Sequence, residues 1–324
     1  MPSTRSVLAV VVLVPALVAL ALWAFVWPSA RLAPRDLPLG VAGPAQATAP
    51  LKAQLTGREG AFEVHEYADA AAARTAIEER EVYGAVVASP GGPELLVATA
   101  AGPSVAQMLT ETVGQRAGRL VPTDDVVPLP PADPRGSALS SSVLPLALAG
   151  LLIGGLVTVL GLRGGRGVLA AAGAAAATGL VAAALADSWL GALAGDWWAE
   201  AGALGLTVLA GAAAVAGLAS VLGRAGMGLG SLLVMLLGNP FSGVTSAPEL
   251  LPEPVGALGQ WLPPGAGGSL IRSVAYFDGN AAAGPLAVLA GWSLAGLTLL
   301  ALGPVLARRR APEASRPAAE SVAA

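Results

Sequence analysis

Few side chains in this sequence have the type and spacing that catalysis needs. His65 is the single histidine and there is no cysteine, so a thiolate nucleophile and a cysteine-ligated metal are both excluded. The glycine-rich run Gly164-Gly-Arg-Gly167 lacks the lysine of a P-loop, and no complete P-loop motif occurs. We therefore predict that the protein is not an enzyme, needs no cofactor or metal, and does not hydrolyse ATP by itself.

The polar residues of greatest interest lie in residues 239–279, called here the broken segment. This stretch is too apolar for a disordered loop and too rich in proline for one spanning helix. Polar side chains at membrane level need a partner, because a bare charge in hydrocarbon is costly. We predict a re-entrant gate or part of an exit path, with an inert hairpin lid as the alternative. The candidate residues are Asn239, Pro240, Glu249, Glu253, Trp261 and Arg272.

Within the broken segment we expect short helices over Leu250–Leu262 and Leu270–Phe277. These helices would lie at the membrane interface, with Trp261, Tyr276 and Phe277 at headgroup depth.

Apolar runs elsewhere in the sequence are long enough to hold this segment in a membrane. A spanning helix needs about 20 apolar residues. Only 12% of the residues are charged, against about 25% in soluble domains. The fifth apolar run is short, so it either continues past Asn239-Pro240 as a broken helix or dips into the membrane and returns. The six runs are Val7–Trp27, Ser141–Leu162, Val168–Asp187, Ala201–Leu222, Gly226–Leu237 and Pro285–Ala307.

The predicted fold class is a polytopic α-helical membrane protein with six transmembrane helices and a small α/β extracytoplasmic domain between helices 1 and 2. The predicted boundaries are residues 1–28 for helix 1, 29–138 for the α/β domain and its linker, 139–307 for a five-helix membrane domain, and 308–324 for a cytoplasmic tail. Gly150 and Gly154 have the GxxxG spacing that permits close helix packing. Membrane lipids are expected partners, and nucleic acid is not, because no basic patch with interleaved aromatic residues occurs.

Arginines in the short loops predict the orientation. Six crossings place all of these arginines on one side, so both termini are expected in the cytoplasm and residues 29–138 outside the plasma membrane. Cleavage after Ala30 is the alternative for the first helix. The acidic and tryptophan-rich stretch from Asp187 to Glu200 then lies outside and is expected to be an interfacial anchor with solvated acids. The arginines are Arg5, Arg163, Arg166, Arg224, Arg308, Arg309 and Arg310.

The outer domain shows alternating strand and helix patterns, which favour an α/β fold. Strands are expected over Leu37–Ala42, Phe62–Tyr67, Val82–Val87 and Glu94–Ala98, and Asp69 is expected to cap a helix. Residues 121–134 are rich in proline and aspartate and are expected to be a linker.

The broken segment resembles the outer re-entrant region of the membrane subunits of ABC-2-type exporters, in the phage-infection-protein-like branch. The resemblance lies in Asn239-Pro-Phe-Ser-Gly243, Ala247-Pro-Glu-Leu-Leu-Pro252, Leu262-Pro-Pro-Gly-Ala266 and Arg272-Ser-Val-Ala-Tyr-Phe-Asp-Gly279. Residues 70–87 also resemble the helix–strand element of that family's outer domain.

The resemblance implies a permease-like subunit that moves an amphipathic or lipid-like substrate outward. It also implies a separate ATP-binding subunit and assembly as a homodimer or heterodimer. The inner loops Arg163–Gly167 and Gly223–Gly226 are too short to contain the family's coupling helix. The alternative interpretation is therefore a non-transporting cell-envelope protein whose outer domain docks a partner or ligand.

Overall fold

Residues 37–125 form a five-stranded mixed sheet in the computed structural model, which describes residues 4–57, 60–89, 91–118 and 120–310. The strand order is β2-β1-β3-β4-β5. Strand β1 is parallel to both β2 and β3, β3 is antiparallel to β4, and β4 is parallel to β5. The strands are β1 (Leu37–Ala42), β2 (Phe62–Tyr67), β3 (Gly84–Ser89), β4 (Gly92–Val97) and β5 (Thr123–Asp125).

Helices cover both faces of this sheet, because successive side chains of a strand point to opposite faces. Val87 packs with Ile77 on one face, and Val86 packs with Leu109 on the other. The Asp69 carboxylate accepts a hydrogen bond from the Ala72 amide at 2.9 Å, so it caps the helix Ala70–Glu78, as the sequence predicts. The helices are α2 (Ala45–Thr56), α3 (Ala70–Glu78) and α4 (Pro103–Ala117); α1 (Thr4–Ser29) precedes the sheet.

Among the described residues, five helices are long and apolar enough to cross a membrane, which indicates a membrane-embedded protein. The fifth predicted run is a shorter apolar helix, Arg224–Gly238, made of α8 (Arg224–Ser231) and π-helical turns. The predicted tail lies outside the described residues from residue 311 onward. The long helices are α1, α5 (Ser137–Val159), α6 (Gly164–Ala183, continued by π-helical turns to Trp189), α7 (Trp197–Leu222) and α11 (Ala283–Arg310).

Helix α7 is the centre of the helical bundle: 72% of its most apolar stretch is buried, against 6% of that of α1. Glycines bring its neighbours into backbone contact. A Cβ on Gly154 of α5 would lie 2.7 Å from the Ala212 carbonyl oxygen, and one on Gly296 of α11 would lie 2.2 Å from the Ala213 carbonyl oxygen. The close packing expected from the GxxxG spacing is therefore confirmed.

Two short helices lie along opposite halves of α7. The helix Arg224–Gly238 packs against the C-terminal half of α7 at Val215, and α10 (Pro263–Tyr276) packs against its N-terminal half at Thr207. These two short helices meet where Gly238 contacts the Pro264 ring. Between them the chain forms a 3₁₀ turn, Pro248–Leu250, and α9 (Val255–Gln260).

The broken segment contributes to both hydrophobic cores of the α/β domain. Phe277 joins the core under α3, whereas Ala247 and Leu250 join the core under α2 and α4. Phe277 is only 3% exposed, because the domain covers its ring. The Tyr276 hydroxyl donates to the Ala192 carbonyl at 2.9 Å. The broken segment thus packs against both the domain and the helical bundle.

Two further expectations need correction. The predicted linker contains strand β5, which extends the sheet by pairing with β4. Glu200 is fully buried rather than solvated, and its Oε1 accepts a hydrogen bond from the Gly195 amide at 2.8 Å. Asp196 caps α7 through the Ala199 amide at 2.9 Å.

Candidate functional site

A cavity of about 660 Å³ lies where the α/β domain meets the broken segment and the start of α11. We call it the junction cavity. Arg80 and Tyr83 line it from the domain, Glu249 and Arg272 from the broken segment, and Val288 from α11. Its volume is in the range of cavities that hold small ligands.

Arg80 reaches this cavity because of its backbone conformation. It follows the end of α3 with a left-handed φ of +63°, which terminates the helix. Its Nη1 donates to the Ser273 hydroxyl and, at 3.2 Å, to the Ser269 carbonyl of α10. The guanidinium carbon lies 5.2 Å from the centre of the Phe277 ring, within cation–π range. Burial, and then the charge of Arg272, lower the pKa of Arg80 to about 10.

Arg272 is the most deeply buried cation of the cavity, with only 4% of its surface exposed. Its Nη2 donates to the Val244 carbonyl at 3.0 Å, while its Nε has no hydrogen-bond partner. A buried guanidinium with an unused donor is costly, so this position is poorly explained by folding alone.

Glu249 faces the same cavity but is bound by a neutral donor. The Tyr83 hydroxyl donates to Glu249 Oε2 at 2.7 Å. Burial, and then the Glu249 charge, raise the pKa of Tyr83 well above its usual range, so the phenol keeps its proton at physiological pH. Among the residues that the structure describes, no ion pair joins either cavity arginine to a carboxylate.

Hydrogen bonds fix one wall of the cavity. Gln260 accepts from the Ser269 hydroxyl at 2.7 Å and donates to the Ser242 carbonyl at 2.8 Å, which ties α9 to α10. The Trp292 indole donates to the Trp261 carbonyl at 2.8 Å. Trp261 is 69% exposed, so the cavity is open on this side, beside α11.

The predicted site residues fall into three groups. Glu249, Trp261 and Arg272 line the junction cavity. Glu253 is exposed and instead lines a smaller cavity of about 240 Å³, beside Arg35.

The third group lies away from both cavities. Asn239 and Pro240 are half-buried at the end of the helix Arg224–Gly238 and line neither cavity. The Asn239 carbonyl accepts a hydrogen bond from the Ser242 hydroxyl at 2.7 Å. These two residues therefore shape the turn between the short helix and the site.

Sequence reasoning missed Arg80 and Tyr83. Arg80 lies in the charged run Glu78-Glu79-Arg80-Glu81, which has the composition of a solvated helix end. No local pattern distinguishes it from such an end; only the contact with α10 does.

The polar groups that line the cavity are guanidinium, phenol, carboxylate and amide. Such groups can bind a polar ligand through charge and hydrogen bonds. Over the described parts of the chain, no group of three or more His, Cys, Asp or Glu residues could hold a metal ion.

Comparisons with protein-family models, with curated proteins and with solved structures found no match. The class that the helices support is a membrane-embedded protein with a small α/β domain. The junction cavity is its candidate site.

Proposed function

We propose that this protein is a permease-like subunit of an ABC-2-type exporter in the plasma membrane. In this proposal it crosses the membrane six times, with both termini in the cytoplasm and residues 29–138 outside. It moves an amphipathic substrate outward together with a separate ATP-binding subunit, as a homodimer or heterodimer. The observation that carries the proposal is the junction cavity beside a discontinuous pair of short helices.

The short helix Arg224–Gly238 and α10 together occupy the length of α7 that one spanning helix would cover. We assign them as a sixth, discontinuous crossing. Irregular backbone at membrane depth is tolerated where it is buried in protein or lines a cavity, and discontinuous helices of this kind form substrate sites in transporters. The turn between them leads directly to the residues of the junction cavity.

Orientation can be tested with single cysteines, because the chain has none of its own. Leu120 is 97% exposed in the α/β domain, and Arg224 is exposed at the start of α8. A membrane-impermeant maleimide should label Leu120→Cys in intact cells and label Arg224→Cys only after permeabilisation. Labelling of both in intact cells would contradict the proposed orientation.

Association with an ATPase can be tested by affinity purification from the native membrane, with mass spectrometry and an ATPase assay on the eluate. A P-loop ATPase with vanadate-sensitive turnover should copurify, since this chain carries no P-loop. A monodisperse preparation with no associated ATPase would overturn the exporter assignment.

One structural observation favours a docking protein as the second candidate. Helix α7 ends at Leu222 and α8 begins at Arg224, so the turn between them is Gly223 alone. Such a turn cannot contain a coupling helix for an ATPase. A photocrosslinker on Leu120→Cys should capture a specific envelope protein if this alternative holds, and the ATPase should then be missing from the purified sample.

A further inference from the structure

Both arginines of the junction cavity are held by neutral groups. Arg80 donates to the hydroxyl of Ser273 and the carbonyl of Ser269, and Arg272 donates to the carbonyl of Val244. These partners position the guanidinium groups but do not neutralise them. Two positive charges at one partly enclosed site create a favourable place for an anion.

One carboxylate, Glu249, shares the cavity with the two arginines and offsets part of their charge. Glu249 Oε2 is bound to the Tyr83 hydroxyl. Glu81 is exposed at the rim, where it accepts a hydrogen bond from the Tyr67 hydroxyl at 3.4 Å. Within the described ranges neither carboxylate forms an ion pair with a cavity arginine. Arg272 Nε remains buried and without a partner, and it belongs to a residue that lines the cavity.

The opposite wall of the cavity is apolar and open. Pro285, Ala287 and Val288 come from the first turns of α11, one of the five long apolar helices, and Trp261 stands beside them. A ligand whose charged group meets the arginines would therefore place any attached hydrocarbon along α11. Such a site matches an amphiphile better than a compact soluble ion.

We propose that the junction cavity binds the phosphate group of an anionic amphiphile, with Arg80 and Arg272 as its cationic ligands. The planar guanidinium forks donate several hydrogen bonds to phosphate oxygens, and Arg272 Nε supplies a donor that has no other use. The start of the apolar chain lies against α11. Transport of this amphiphile rests on the proposed exporter function, whereas its binding does not.

The test is native mass spectrometry of the full-length protein in detergent, titrated with phosphatidylglycerol or with phosphatidylcholine of the same chain length. Phosphatidylglycerol should bind at least about tenfold more tightly, because charge-assisted hydrogen bonds to an uncompensated anion are the strong ones. Arg80→Gln should remove that preference. Ala287→Phe, which fills the open wall and leaves both arginines in place, should weaken both lipids.

The matched control is Arg74→Gln, which removes one positive charge from the same domain at a residue paired with Asp124 away from the cavity. It should bind phosphatidylglycerol as the unmodified protein does. Equal affinity for the two lipids, or unchanged affinity in both Arg80→Gln and Ala287→Phe, would overturn the site. Displacement of phosphatidylglycerol by an equal concentration of inorganic phosphate would assign the site to the free ion and overturn the amphiphile.

This experiment needs no ATPase. Lipid selectivity without a copurifying ATPase would retain the site and remove the exporter. An associated ATPase without lipid selectivity would retain the exporter and reject this substrate class.

Discussion

The seam between α7 and α11 and the junction between the α/β domain and the broken segment are built in opposite ways. At the seam, Gly217 and Gly296 bring the two backbones into contact, and the Ser220 hydroxyl donates to the Leu299 carbonyl at 2.8 Å. At the junction, large side chains leave a cavity of about 660 Å³ lined by two arginines.

The difference shows where this molecule is tightly packed and where it has room for a ligand. Close-packed interiors lose stability when any volume is added. A cavity with buried, incompletely satisfied charge instead has stability to gain from a ligand that completes it. The seam is therefore expected to determine folding, and the junction to determine binding.

The largest effect is expected from Gly296→Ala at the seam. The new Cβ would lie 2.2 Å from the Ala213 carbonyl oxygen, so the helices must separate. We expect the free energy of unfolding to fall by more than the usual overpacking cost of about 1–3 kcal/mol. This fall should appear as a low yield of monodisperse protein and a lower Tm. Gly291→Ala is the control, because its Cβ on the same helix meets nothing within 4 Å. Equal behaviour of the two variants would refute the seam.

The next effect distinguishes ligand-dependent from ligand-independent stability. Phosphatidylglycerol should raise the Tm of the unmodified protein by mass action, but not that of Arg272→Gln. Without lipid, the free energy of unfolding of Arg272→Gln should be about 1–3 kcal/mol lower than that of the unmodified protein, because the buried Val244 carbonyl loses its charged donor. A lipid-induced shift that is the same in both proteins would show that the lipid stabilises the bundle from outside.

Tyr83→Phe tests the neutral donor on Glu249. At pH 7 we expect a loss of about 1 kcal/mol, the typical value of one hydrogen bond. Burial raises the folded-state pKa of Tyr83 above its ordinary 10.0. The stabilisation from the phenol is thus fully present below pH 10 and declines as pH rises above it. The Tm difference between the unmodified protein and Tyr83→Phe should shrink from pH 9 to pH 11; a constant difference would argue against a buried phenol.

The smallest effect is expected at the exposed edge of the junction. The Asn280 amide donates to the Glu78 carbonyl at 3.0 Å, in contact with solvent. Asn280→Ala should change stability by no more than about 0.5 kcal/mol, because water replaces the lost bond. A change as large as that of Arg272→Gln would mean that the junction is held by its edge and not by its buried groups.

Local patterns predicted much of the architecture. The strands Leu37–Ala42 and Phe62–Tyr67 lie where their sequence places them, and Asp69 caps α3. Helix α2 was not predicted, because its alanine-rich sequence with Pro50 has little periodicity. Strand β5 was not predicted either, since a short edge strand in a proline-rich stretch depends on its neighbour β4.

The sequence by itself determined the apolar helices, the strands next to them, and the broken segment as an unusual region. These follow from periodicity, composition and proline, which act over a few residues. Only the tertiary structure brought Arg80 within hydrogen-bond reach of Ser273, 193 residues further along the chain. A pair of arginines at one cavity has no local signature, because the contacts that position a buried charge come from distant parts of the chain.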